Sequence, residues 1–244
     1  MIFFKYHVCT CDVIVCDEME RADARTVCAR HTGAGAAMFA LVRENPFAAR
    51  FFRADGREAR LDVSSLLCSA AYLFEKCGTP KITVMTGGGV CEAEILPRGD
   101  VRLTLPPIGI GSVKLRRADV SPPTEYAKLD FFGARAFCPT DDIYGAILFG
   151  LGEKMSAYRA FSGGADVDLV GVKGKDLIEV RSYERGAGYV VSAGGALCAA
   201  TAMHAIGKCG IDVSVAVESG RMSVHAGEKP AVSATVTKIF KGEF

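Results

Sequence analysis

Y-E-R-G-A-G-Y-V-V-S-A-G-G-A, residues 183–196, runs through glycines 186, 188, 194 and 195 into an Ala-rich segment that continues to Ile206. The glycines allow backbone conformations that a Cβ disfavours, and the apolar run after them reads as a buried helix. A helix entered through Gly194-Gly195 presents N–H groups that lack intrahelical acceptors, so its N-terminus is a place for a carboxylate to bind. Glu184-Arg185, just upstream, adds a guanidinium fork and a counter-charge.

Working outward, a second apolar helix is expected over Val63 to Cys77, directly after Asp62. Period-two patterns before it read as strands at Ile2 to Val8, Asp12 to Asp17, Ala37 to Val42 and Phe47 to Arg53, with an amphipathic helix over Glu20 to Arg30. After it come strands at Lys81 to Met85, Val90 to Leu96 and Val101 to Leu105, separated by the turn-forming runs Thr86-Gly87-Gly88-Gly89 and Pro97-Arg98-Gly99-Asp100. Pro106-Pro107 and Pro122-Pro123 bracket a linker or crossover strand. The plan then repeats: a strand at Tyr126 to Phe132, a helix over Asp141 to Arg159, strands at Asp166 to Val172 and Leu177 to Tyr183, the helix of the opening stretch, and three more strands.

Half of the 244 residues are hydrophobic, enough to bury one large core or two modest ones. A formal net charge of +1 gives no general electrostatic pull toward nucleic acid or a membrane surface. No apolar run is long enough to cross a bilayer as a helix and no signal-peptide pattern opens the chain, so the expected compartment is the cytosol. None of the ten cysteines forms a C-x-x-C pair, and Cys68, Cys77, Cys198 and Cys209 fall in or at the ends of apolar helical runs, as free thiols packed like small hydrophobes. His7, Cys9 and Cys11 share a face if their segment is one strand, which leaves a metal site open there beside ordinary strand packing.

The chain resembles the diaminopimelate epimerase family. Phe4-Lys5-Tyr6-His7 followed by Asp12-Val13-Ile14-Val15 is similar to that family's F-x-K-M-H-G-x-G-N-D-F-x-V opening, and residues 28–36 resemble its C-x-R-x-x-G-I-G-A-D-G segment. Residues 52–59 are similar to F-N-x-D-G-S-E-A, the block from Tyr183 matches Y-E-R-G-x-G, and residues 236–243 carry a V-F-x-G-E cadence. The resemblance implies an α+β fold of two pseudo-symmetric domains, each a mixed or antiparallel sheet or barrel around a central helix, with a cleft between them. Domain limits of 1–112, completed by a last strand at 236–244, and 113–235 follow from it.

In that family two cysteines exchange a proton with the substrate Cα from opposite faces. By resemblance their positions here hold Asp62 and Ala193, so two-thiol racemisation is not expected. The family's substrate-gripping asparagines fall on Cys11, Arg53 and Asp166; its C-G-N becomes Asp62-Val63-Ser64, and its G-N-P-H falls on Gly133-Ala134-Arg135-Ala136. Glu184, Arg185, Gly194 and Gly195 are kept. The expected substrate-binding set is therefore Cys11, Arg53, Ser64, Asp166, Glu184, Arg185, Gly194 and Gly195, with no metal and no cofactor.

The ligand implied is a small carboxylate-bearing metabolite, with Arg53, Arg135 and Arg185 available for a second anionic group. Asp62 reads either as a sole catalytic base for an isomerase or lyase, or as the N-cap of the helix that follows. A catalytically inactive paralogue, acting as a ligand-binding or regulatory protein or as a scaffold partner, is the alternative; the resemblance also implies a homodimer.

Overall fold

The computed structural model describes residues 2–17, 24–109, 113–185 and 187–243. The chain divides into two compact units, Met1–Pro106 with Ser233–Phe244, and Pro107–Val232. In the first unit, β1 (Ile2–Val8) and β2 (Cys11–Cys16) form an antiparallel hairpin, and the short helix α1 (Ala24–Cys28) leads to β3 (Met38–Glu44), parallel to β2. β4 (Phe47–Arg53) is antiparallel to β3 and carries the two-residue strand β5 (Glu58–Ala59). Helix α2 (Val63–Cys77) then crosses over to β6 (Lys81–Thr86), parallel to β4, and β7 (Gly89–Ile95) and β8 (Val101–Thr104) follow as an antiparallel meander. The closing strand β18 (Val236–Glu243) pairs with β1.

The second unit repeats this plan element for element. β9 (Arg116–Ala118) pairs with β10 (Thr124–Asp130), which is antiparallel to β11 (Ala134–Pro139). Helices α3 (Ile143–Leu148) and α4 (Leu151–Ser156) stand where α1 stood, and β12 (Asp166–Val172) is parallel to β11. β13 (Leu177–Glu184) is antiparallel to β12, carries the short β14 (Gly188–Val190), and is joined through α5 (Ala193–Ala205) to its parallel neighbour β15 (Asp212–Val217). β16 (Gly220–His225) pairs with β15 and is followed by β17 (Ala231–Ala234).

Each unit packs its sheet around one long helix. Leu66, Leu67 and Leu73 of α2 are fully buried, as are Val13, Val15, Phe51 and Leu103 of the surrounding strands. α5 is apolar on every side, with Ala193 through Met203 all buried, which is the pattern of a helix that meets protein all round. Its alanines and glycines keep it thin, so strands on several sides approach closely. On the opposite face of the second sheet, Ala136, Cys138, Val167 and Leu169 pack with Leu151 and Met155 of α4.

α2 begins and ends where the residue pattern places it: Asp62 caps one end, and Gly78 at φ 67° closes the other by donating its N–H to the Phe74 carbonyl. The single helix expected over 141–159 is instead α3 and α4. Gly150 adopts the left-handed conformation at φ 65°, and the Phe149 N–H bonds the Gly145 carbonyl to end the first segment. Of the helix expected over 20–30, residues 20–23 lie outside the described residues, and the part that follows is helical over Ala24–Cys28.

Candidate functional site

Both central helices start with the same backbone turn. Asp62 sits at φ −130°, ψ 118°, and its Oδ1 accepts the Ser65 N–H at 2.7 Å. Ser192 sits at φ −131°, ψ 115°, and its Oγ accepts the Gly195 N–H at 3.0 Å. Cap matched to cap, Asp62 corresponds to Ser192, Ser65 to Gly195 and Cys68 to Cys198. The pairing of Asp62 with Ala193 is therefore displaced by one residue in geometry: Ala193 is the first helical residue and fully buried. The α5 terminus, expected to be bare, is capped.

Around the α2 terminus, Cys11 opens β2 and Ser64 lies buried in the first helical turn. Cys9 and Thr10 form a two-residue turn at φ 44° and 66°, so the chain reverses between His7 and Cys11. Cys11 stands opposite Val8, on the sheet face where Phe4 and Tyr6 meet Tyr72 and Glu75 of α2, whereas His7 lies on the other face. This hairpin overturns the shared-face reading of His7, Cys9 and Cys11. Among the described residues, no group of three His, Cys, Asp or Glu side chains is placed to hold a metal ion. Arg53 ends β4, and its N–H bonds the Arg57 carbonyl across the Asp55-Gly56 turn. Burial first, and then the neighbouring Cys11, Asp62 and Asp12, push the Cys68 thiol well above its ordinary pKa, so it stays protonated near neutrality.

The second unit holds a buried charge network at the corresponding place. Parallel pairing of Arg135 with Asp166 and of Phe137 with Asp168, and antiparallel pairing of Asp168 with Ser182, align these side chains on the face that α5 covers. Arg135 Nη1 donates to both oxygens of Asp168 at 3.0 Å, and Ser182 Oγ donates to Asp168 Oδ1 at 2.6 Å. Arg135 Nη2 reaches Asp166 Oδ2 at 3.4 Å and lies 3.7 Å from Glu184 Oε1. Asp166 Oδ1 accepts the Arg185 backbone N–H at 3.0 Å. Asp168 is 0% exposed and Arg135 7%. Burial pushes the Asp168 carboxyl up, with Arg135 and Ser182 pulling against it. Burial works against the Arg135 charge, but Asp168 first and then Asp166 and Glu184 outweigh it and raise its pKa.

Gly195 is required here by space, not by φ. A Cβ on it would lie 2.2 Å from Ser182 Oγ, 2.6 Å from Asp168 Oδ1 and 2.8 Å from Arg135 Nη1, so α5 rests directly on the network. Arg185 behaves differently from Arg135. Its exposed side chain runs against Gly164, whose Cβ would meet Cδ at 2.9 Å and Nη1 at 3.0 Å, and among the described residues no carboxylate lies within ion-pair distance of it.

Asp166, Glu184, Arg185 and Gly195 are thus brought together by β12, β13 and the start of α5, with Gly194 beside them, while Cys11, Asp62 and Ser64 gather at the start of α2. Arg135, expected to be available to a ligand anion, is instead committed to three internal carboxylates. Asp168 and Ser182 were not anticipated. The signal for Asp168 was present, because Asp166-Val167-Asp168 puts two acids at period two in an otherwise apolar strand, and such a pair needs a buried cation.

No family model matches the chain. A diaminopimelate epimerase of Caldanaerobacter subterraneus subsp. tengcongensis is 29% identical over 271 aligned positions, covering 100% of this chain and 99% of the relative. Among solved structures, a probable proline racemase of Agrobacterium radiobacter with bound carbonate aligns at TM-score 0.72 and 15% identity, over 100% of this chain and 92% of the other. A hydroxyproline epimerase of Agrobacterium vitis with bound trans-4-hydroxy-L-proline aligns at TM-score 0.71 and 14% identity, over 99% and 90%. The fold is accordingly the one these racemases and epimerases share. In sequence, the chain is diaminopimelate epimerase-like over its whole length.

Proposed function

We propose that this protein is a divergent isomerase of diaminopimelate epimerase type that binds a small carboxylate-bearing metabolite and does not use a two-thiol racemisation. The observation that carries this reading is the contrast between what is kept and what is replaced. The two capped helix starts and Glu184-Arg185 remain, while resemblance gives the thiol positions to Asp62 and Ala193 and the matched caps give the second to Ser192, none of them a cysteine. A helix start and an exposed guanidinium recognise a carboxylate without any cofactor. Asp62 then serves as the single base, taking a proton from one carbon of the substrate and delivering it to another carbon on the same face while the double bond shifts between them. The same reading keeps the cytosol as compartment and a homodimer as assembly.

One observation favours a second reading. Asp62 Oδ1 is already bonded to the Ser65 N–H, a sufficient role for that carboxylate in a catalytically silent ligand-binding or scaffold paralogue. Thermal shift against amino acids, hydroxy acids, keto acids and dicarboxylates, with Arg185→Ala and Asp62→Asn beside the wild type, separates the two. A ligand at about a hundred times its dissociation constant adds roughly 2.7 kcal/mol of stability. A hit that Arg185→Ala loses supports the site, and solvent deuterium entering that compound with wild type but not with Asp62→Asn assigns the base. Binding without exchange supports the silent reading; no hit across the panel removes the small-acid site.

A further inference from the structure

We infer that Arg135 is a built-in cation that occupies the carboxylates of the second unit's site and so selects for acids that carry no amino group. This rests on the small-acid reading above and narrows its substrate class. A ligand ammonium is ordinarily held by two or three carboxylate or carbonyl oxygens, because its N–H donors need acceptors once water is removed.

At this site the acceptors are already used. Both oxygens of Asp166 are engaged, Oδ2 by Arg135 Nη2 at 3.4 Å and Oδ1 by the Arg185 N–H at 3.0 Å. Both oxygens of Asp168 accept from Arg135, and Ser182 adds a third bond from behind. Glu184 Oε1 faces the same guanidinium at 3.7 Å. The guanidinium cannot withdraw to make room, since its side chain is 9% exposed and the start of α5 lies on it, with no space even for a methyl group at Gly195. It cannot lose its proton either, because an arginine stays charged in a protein.

The outward-facing charge has the opposite sign. Arg185, exposed and with no acid at ion-pair distance among the described residues, offers its guanidinium to an anion. The site therefore presents one cation outward and turns its carboxylates inward onto another. A 2-hydroxy, 2-oxo or unsaturated carboxylic acid fits that arrangement. An α-amino acid brings an ammonium group that must compete with Arg135 for the carboxylates of the second unit.

The test is a matched titration followed by the 1H–15N signals of the Arg185 and Gly194 amides, using L-lactate, L-alanine and methylammonium as probes. Lactate is expected to move both signals, with alanine binding weaker by at least about tenfold, and methylammonium is expected to leave them in place. In the neutral double variant Arg135→Gln/Asp168→Asn, methylammonium should now move the Arg185 amide, because Asp166 and Glu184 have lost their internal partner. Alanine binding as tightly as lactate, or a wild-type Arg185 amide that moves with methylammonium, overturns the inference. If neither lactate nor alanine moves any amide, the small-acid reading fails for these probes, and the methylammonium response of the wild type alone still decides the role of Arg135.

Discussion

Replacing Arg135 by methionine removes the only cation bonded to Asp168 among the described residues and keeps most of the side-chain volume. Asp168 is 0% exposed, both of its oxygens lie 3.0 Å from Arg135 Nη1, and the donor that remains among the described residues is the Ser182 hydroxyl at 2.6 Å. Removing one partner of a buried pair costs about 3–5 kcal/mol. At roughly 2–4 °C per kcal/mol for a chain of this size, the melting temperature at pH 7.5 should fall by about 6–20 °C.

The pH dependence has a definite sign. Burial raises the Asp168 pKa above its unfolded value, and losing Arg135 raises it further. The folded variant then holds a proton that the unfolded chain gives up, so its stability falls as pH rises from the unfolded toward the folded pKa and returns as pH is lowered. Circular-dichroism melts of wild type and Arg135→Met at pH 7.5 and pH 5 should show the gap narrowing in acid. Arg135→Met/Asp168→Leu, which replaces both charges by apolar groups, should recover most of the loss. A drop worth less than about 1 kcal/mol, a gap that widens in acid, or a double variant as unstable as the single one would refute the buried-pair account.

Gly195→Ala should destabilise by about 1–3 kcal/mol in urea titration even though alanine is the better helix former by about 1 kcal/mol, because its Cβ would lie 2.2 Å from Ser182 Oγ; a stabilised variant would mean that the network does not lie where it is described. Burial pushes the thiols of Cys138 and Cys198 up to about 12 and those of Cys28, Cys91 and Cys209 up to about 11. Iodoacetamide at pH 8, read by peptide mass spectrometry, should therefore label the half-buried Cys9 and Cys77 before any of these five; early labelling of Cys198 would contradict the packing around α5.

Elements whose signals are local were legible in the sequence. α2 runs over the expected Val63–Cys77 because its stop and start are written in Asp62 and Gly78, and β12 covers its expected range because Val167, Leu169 and Val170 keep a buried strand pattern. The break between α3 and α4 has no signal in the apolar pattern, which continues through Phe149, and only the left-handed Gly150 divides them. No strand is expected over β11, because Ala134 to Pro139 is buried on both faces and carries no period-two alternation.

At the site, the helix starts were readable and the charge network was not. Arg135 and Asp168 stand 33 residues apart, and their pairing is created by the register of β11 on β12, which no spacing along the chain encodes. Likewise Ala193 matches a family position by alignment, but the cap is chosen by which side chain can accept an N–H bond, and that is Ser192.

The pairing of β18 with β1 gives the chain an order of assembly. The second unit, Pro107–Val232, is continuous, whereas the first is made from Met1–Pro106 together with Ser233–Phe244. During synthesis, β1 finds β2 on one edge at once, but the partner for its other edge is made only after the whole second unit has emerged. The earliest strand thus waits with one edge unsatisfied while a later unit is free to fold, and that edge is where a nascent chain of this protein is most open to wrong strand pairing.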